Sequence, residues 1–448
     1  MASAAEQLAA NLNFSAFSKA TELKKRIWFT LFALVAYRLG TYVPLPGINP
    51  VELARMFDQN QKGILGMLDL FNGGAIKRMS VFALGIMPYI SASIIMQLMT
   101  SISPAMGELK KEGEAGRQKI NQYTRYGTVI LTVVQGYAIA SSMQSGGIAL
   151  GGGGIFFIAT TIITLTGGTL LLMWMGEQIT ARGVGNGISL IIFAGIVAQL
   201  PPAIVGTLEL SSKGQLGGPL VIVALIVMVV AVIGFIVFME RAQRRLLIQY
   251  PKRQTATGAS KGEQSHMPLK LNTAGVIPPI FASSLLLMPM TVAGFAAKDG
   301  PEWITSVTTL LGPGQPLYMA LYAVGIIFFC FFYTAIQFNP EETADNLKKY
   351  GGFIPGIRPG KNTANYLDYV LTRLTVIGAM YLTLVCLLPE VLRAKYSIPF
   401  YFGGTSLLIV VSVTMDTVAQ IHGHMMAHQY EGLLKKSKIR GKQRRRRR

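Results

Sequence analysis

Ten apolar stretches, each long enough to cross a bilayer, alternate along this chain with loops whose basic residues gather almost entirely on one side. The stretches cover about 25–43, 79–103, 124–143, 155–176, 184–203, 218–239, 273–295, 316–337, 374–390 and 401–421. Most are close to 20 residues, which at about 1.5 Å per residue matches a hydrocarbon core about 30 Å thick. The N-terminus, the connections 104–125, 177–183, 240–272 and 338–373, and the C-terminal tail together hold roughly four in five of the 41 Lys and Arg residues. The excess of basic residues on one side predicts a multi-pass protein with both termini in the cytoplasm. Charged residues make up only 14% of the chain, against about 25% in a typical soluble protein. The fold class expected is therefore all-α and polytopic, with ten transmembrane helices.

A formal net charge of +20 has two readings. It follows from the topology and from attraction to anionic lipid, or it marks a cytoplasmic face that docks an acidic partner. The two cysteines, Cys330 and Cys386, both lie inside spans, and no CxxC or Cys/His spacing for a metal occurs. His424 and His428 stand four residues apart without a third ligand, so no metal and no cofactor is expected. Residues 1–23 are polar and Ala-rich and are not read as a cleavable signal, so the first span itself is the expected insertion signal.

Segment 44–78 opens with Pro44-Leu45-Pro46-Gly47, a rigid exit turn, and closes with Gly73-Gly74, which suits a helix stop. Between them, Ile64, Leu65, Met67, Leu68, Leu70 and Phe71 follow a helical spacing but are too few to span. Such a helix either lies on the surface or folds inward, and an inward fold requires a cavity to receive it. Ten spans divide into two fives at the short connection 204–217. Five is odd, so two similar halves would insert in opposite orientations and create a pathway between them. Loop 240–272 places β-prone Leu246-Leu247-Ile248-Gln249-Tyr250 before a polar, turn-like 251–265, the pattern of a hairpin. Loop 338–373 frames Arg358 between Gly356 and Pro359-Gly360 at a tight turn. Residues 435–448, ending in five Arg, are expected to be irregular and to lie near lipid or an acidic surface.

Catalytic chemistry is missing. No G-x-x-x-x-G-K-[ST] cradle for phosphates occurs, and charges inside the spans are few. Arg38 lies toward the outer end of its span, where it is expected to snorkel. Asp416 lies in the last span, and Glu177 and Glu240 stand at cytoplasmic ends. A secondary transporter also suits ten spans, and a membrane-embedded enzyme is a third reading. The first would be favoured by paired mid-membrane carboxylates and the second by a His/Asp or Ser/Lys cluster, and the sequence shows neither. The shortage fits a passive route whose barrier is apolar.

Several stretches carry a specific resemblance. They include Gly85-Ile86-Met87-Pro88-Tyr89-Ile90-Ser91, Gly176-Glu177-Gln178-Ile179-Thr180, Gly183-Val184-Gly185-Asn186-Gly187, Asn339-Pro340-Glu341-Glu342-Thr343-Ala344-Asp345-Asn346-Leu347 and Pro399-Phe400-Tyr401-Phe402-Gly403-Gly404-Thr405. In order and number, from about 24 to 434, the chain resembles the SecY family, the central channel subunits of bacterial protein translocation.

The resemblance implies two five-helix halves, 24–203 and 218–421, joined by an external hinge at 204–217 and followed by a basic tail at 422–448. It implies a waist of Ile86, Ile90, Ile188, Ile192, Ile280 and Ile409, a re-entrant plug over 64–74, and a seam to lipid between the second and third spans and the seventh and eighth. By the same resemblance Arg241, Arg244, Arg245 and Arg358 dock an external driver, either a SecA-like ATPase or the ribosome. It further implies SecE-like and SecG-like membrane subunits, signal-sequence-bearing polypeptides as cargo, and the bacterial plasma membrane as location. A channel of this kind is no enzyme.

Overall fold

The computed structural model describes residues 21–53, 55, 69, 72–150, 153–212, 219–250, 254–255, 258–259, 264–296, 310, 312, 315–396 and 404–446. Each of the ten apolar segments carries a helix. These are α1 (Thr21–Gly40), α2 (Met87–Ile102), α4 (Glu114–Ser145), α5 (Ile155–Arg182), α6 (Gly187–Ser212), α7 (Pro219–Arg241), α8 (Ile277–Ala296), α9 (Pro316–Gln337), α11 (Lys361–Tyr396) and α12 (Gly404–Arg446). Two shorter helices, α3 (Pro104–Lys111) and α10 (Pro340–Lys349), lie in the basic connections. Among the described residues six helices are long and apolar enough to cross a membrane on their own, and a seventh if α2 and α3 are taken together.

Helix boundaries follow local chemistry rather than hydropathy. The second apolar segment is not helical from its start. Residues 72–86 form a chain of turns, and α2 begins only with Pro88 in its first turn, where the missing N–H costs nothing. The same helix ends at Ser103, held extended by the following Pro104, and α3 leaves at 98°. On the basic side α4 starts ten residues before its apolar stretch. Helix α6 runs through Pro201-Pro202 to Ser212, so part of the expected connection 204–217 is helical. Helix α12 continues to Arg446, which corrects the expectation of an irregular tail over most of 435–448.

One continuous apolar core joins the spans. It takes Tyr37 from α1, Ile90 and Ile94 from α2, Leu172 from α5, Ile196 from α6, Ile236 from α7, Phe281 from α8, Phe329 from α9, Leu382 from α11 and Leu408 from α12. The opposite side of α7 leaves Val223, Ile226, Val227, Val230 and Phe238 exposed, as a helix facing hydrocarbon does. The two groups of spans meet where α8 packs on α2 and α4, and again where α12 packs on α6 and α1. Across the seam that the resemblance implies, the helices are therefore in contact.

On the side away from the basic loops, the exit turn is fastened to its neighbours. Leu45 N–H donates to the Met79 carbonyl at 2.9 Å, and Asn49 N–H donates to the Ile148 carbonyl at 2.9 Å. Leu45, Leu53, Met79, Ile148 and Phe157 bury themselves in a second, smaller core beneath these bonds.

Candidate channel waist and basic docking face

The waist is assembled by four helices. Ile86 caps α2, and Ile90 follows one turn later with its N–H donating to the Ile86 carbonyl at 3.1 Å. Their i, i+4 spacing puts both side chains on one face. Ile192 comes from α6, Ile280 from α8 and Ile409 from α12, and these five converge on one void together with Met87, Asn72 and Ser283. The void measures about 10 Å³, at the lower limit of what one water molecule occupies. No charged residue lines it. Ile409 is 1% exposed and Ile86 is 4% exposed, so the side chains fill the space between the halves instead of lining an open bore.

Ile188 is not among the residues lining the void. It sits half-buried in the first turn of α6, where a Cβ on Gly176 of α5 would stand 3.1 Å from its Cγ1. Sequence reasoning did not single out Asn72 and Ser283, the polar residues of the lining. Asn72 had only its place inside the expected plug over 64–74, just before Gly73-Gly74, read there as a helix stop. Its side chain is buried, and Nδ2 donates to the Ala83 carbonyl at 2.7 Å.

Of the expected plug, Ile64, Leu65, Met67, Leu68, Leu70 and Phe71 lie outside the described residues. Asp69 lies within them. Its Oδ1 accepts from the Ile76 and Lys77 N–H groups at 2.9 Å each. Burial pushes the Asp69 carboxyl above the usual carboxylate range, and those two backbone donors oppose the rise.

Acids near the basic ends of spans are satisfied locally. Glu177 receives both ends of the Arg125 guanidinium, with Nη2 at 2.7 Å from Oε2 and Nε at 3.2 Å from Oε1. Glu240 accepts from Asn272 Nδ2 at 2.7 Å.

The basic face is built from two loops. Strands β1 (Gln243–Gln249) and β4 (Gln264–Lys270) pair antiparallel, and β2 (Gln254–Thr255) with β3 (Gly258–Ala259) forms a smaller pair between them. The neighbouring loop joins this hairpin. Gln249 N–H donates to the Phe353 carbonyl at 2.9 Å, and Phe353 N–H returns to the Gln249 carbonyl at 3.0 Å. Beneath the joint Leu246 and Leu269 of the hairpin pack with Ile354, Leu367, Leu371 and Leu374. Arg241, Arg244, Arg245 and Arg358 are all exposed. At the Arg358 turn Gly356 takes φ +83°, a conformation open to glycine at little cost. The turn closes on Thr363 Oγ1, which donates to the Arg358 carbonyl at 3.1 Å.

This arrangement, an uncharged apolar waist between the spans and a basic face on the loops, has counterparts. The family model described as SecY matches residues 80–418. The chain belongs to the SecY family. Protein translocase subunit SecY of Escherichia coli is 53% identical over 425 residues, covering 94% of this chain and 96% of that one. The SecY subunit of Rickettsia conorii is 54% identical over 433 residues, covering 95% of this chain and 99% of its own. A solved protein-conducting channel superposes with a TM-score of 0.63 at 19% identity, covering 89% of this chain and 92% of that one. Sec61 in a canine ribosome–channel complex gives 0.61 at 19% identity, with the same coverage. Both likenesses fix the fold, and the SecY relatives fix the family. As a SecY-family member the chain is a multi-pass membrane protein and a protein translocase subunit.

Proposed function

We propose that the isoleucine waist is the seal of this channel, closing on itself at rest and around an unfolded secretory polypeptide in transit. One observation carries the reading: five isoleucines from four helices of both halves meet around a void with room for about one water. Aliphatic side chains offer a moving chain no hydrogen bond to hold it, and they exclude ions by dewetting when they meet. Charged rings would select and retain cargo instead.

The contact of α8 with α2 and α4 is the seam through which an apolar segment leaves sideways. Partition into lipid there favours exit by about 0.8 kcal/mol per buried CH₂. With no phosphate cradle in the sequence, the chain performs no reaction of its own, and the driving energy comes from outside. The paired basic loops are the platform for that driver, a SecA-like ATPase or the ribosome, and Arg241, Arg244, Arg245 and Arg358 carry the contact. The ribosome-bound Sec61 structure supports the second partner. SecE-like and SecG-like subunits and anionic lipid complete the assembly. The platform and both termini face the cytoplasm of a bacterial cell, with the chain in its plasma membrane, a reading that the basic asymmetry of the loops supports as to orientation.

Site-specific cross-linking of a stalled cargo tests the seal. Probes placed at positions 86, 90, 192, 280 and 409 should each capture the cargo, whereas probes on the lipid-facing side of α7 should not. Failure of all five waist positions to capture it removes the assignment.

A further inference from the structure

Arg38 is tied to the backbone of a neighbouring segment. It lies near the outer end of α1, where a charge is costly unless partnered, and its guanidinium turns inward to the run of turns before α2. Nη1 donates to the Gly73 carbonyl at 2.6 Å and to Thr41 Oγ1 at 3.4 Å, and Nη2 reaches the Tyr42 hydroxyl at 3.5 Å. Arg78 grips the same carbonyl as well. Its Nη2 lies 3.2 Å from the Gly73 oxygen and its Nε lies 3.1 Å from the Gly74 oxygen. The Tyr42 ring takes both cations, with the Arg78 guanidinium 4.0 Å and the Arg38 guanidinium 5.3 Å from its centre.

Gly73 is also pressed against α6. A Cβ there would stand 2.9 Å from Gly195 Cα and 3.1 Å from Arg38 Nη1. The backbone φ of Gly73 is +65°, so any side chain would meet strain as well as a clash. Gly195 lies one turn beyond Ile192 on α6. Asn72, the neighbour of Gly73, is one of the residues lining the isoleucine void.

We propose that Arg38 is a positioning residue of the seal: it clamps Gly73 against α6 and thereby holds Asn72 and the 72–86 segment in register with the isoleucines. A guanidinium suits the task because its fixed fork serves the carbonyl, a hydroxyl and the phenol together, which a lysine ammonium on a flexible stem does less well. Losing the clamp frees one boundary of the waist without touching an isoleucine. This inference rests on the waist being the seal and adds a residue outside it.

The test uses the complete translocation complex reconstituted in vesicles with a SecA-like ATPase. It measures the export of cargo lacking a functional signal sequence relative to cargo carrying one, together with resting ion conductance. Arg38→Gln should raise that export ratio about tenfold and raise resting conductance, at normal insertion. Arg38→Lys, which keeps the charge without the fork, should recover only part of the restriction. Gly73→Ala, whose Cβ would crowd both Gly195 and the Arg38 guanidinium, should behave like Arg38→Gln. It also decides the matter by the same ratio should Arg38→Gln fail to accumulate.

An unchanged ratio in a normally inserted variant, or an equal loss for both cargoes, overturns the clamp. Ile409→Asn is measured alongside. A raised ratio there with an unchanged one in Arg38→Gln leaves the seal standing and removes the clamp. An unchanged ratio in both removes the seal and the clamp with it.

Discussion

In the proposed channel the waist and the basic face solve opposite problems with opposite chemistry. At the waist, five isoleucines and a methionine from four helices are interchangeable in kind, and their work is to leave no room. On the basic face position is everything. A backbone ladder ties Gln249 to Phe353, an apolar joint supports it, and a glycine-framed turn presents Arg358. Exclusion needs only apolar volume from several directions, whereas recognition needs a fixed charge at a fixed place. The first tolerates motion and is suited to a passage that must widen, while the second requires rigidity.

The strongest way to break this contrast is to loosen the rigid region alone. Leu367 is fully buried in the joint beneath the two loops, and Leu367→Ala should cost about 3 kcal/mol of local stability. Hydrogen exchange should accelerate at Gln249 and Phe353 and remain unchanged at Ile90 and Ile192. Equal acceleration in both places would mean that the regions are one cooperative unit.

A somewhat smaller effect is expected at the waist. Ile409→Asn buries an amide without a partner in the closed form, at a cost of about 2 kcal/mol. The closed state should weaken accordingly, and cargo with a defective signal sequence should pass more than about tenfold better. Driver binding should be untouched, and an unchanged export specificity in the stably inserted variant would count against the seal.

The smallest effect should come from reversing one exposed charge. Arg358→Glu should lower motor-driven export by about tenfold, equivalent to about 1.4 kcal/mol, with insertion and subunit assembly intact. Export at the normal rate with normal motor binding would remove Arg358 from the docking surface.

The same contrast decides what was legible in the sequence. The helices of the apolar segments were, because a single segment in hydrocarbon satisfies its own backbone only as a helix and hydropathy finds such segments directly. The hairpin was also readable, from β-prone Leu246–Tyr250 followed by a polar turn. The start of α2 was not, because residues 79–86 are as apolar as a span yet form turns, with Met79 itself at φ +43°. Hydropathy registers burial there but not backbone form. Nor does it stop α12, which keeps a helical backbone long after its apolar residues end, to Arg446.

Within the site, the isoleucines themselves stood out only through the family resemblance, since a single Ile in a membrane helix looks like any other. Asn72 and Ser283 carried no periodic signal at all. Arg38 was conspicuous as a charge inside a span, but its partner, a backbone carbonyl 35 residues away, leaves no mark in a sequence.

The bond pair between Gln249 and Phe353 also has a mechanical meaning. The hairpin issues from the end of α7, and the Phe353 loop leads into α11. A driver that pushed on Arg358, as proposed, would therefore grip the C-terminal half by two handles at once, and its torque would be shared by two spans instead of bending one.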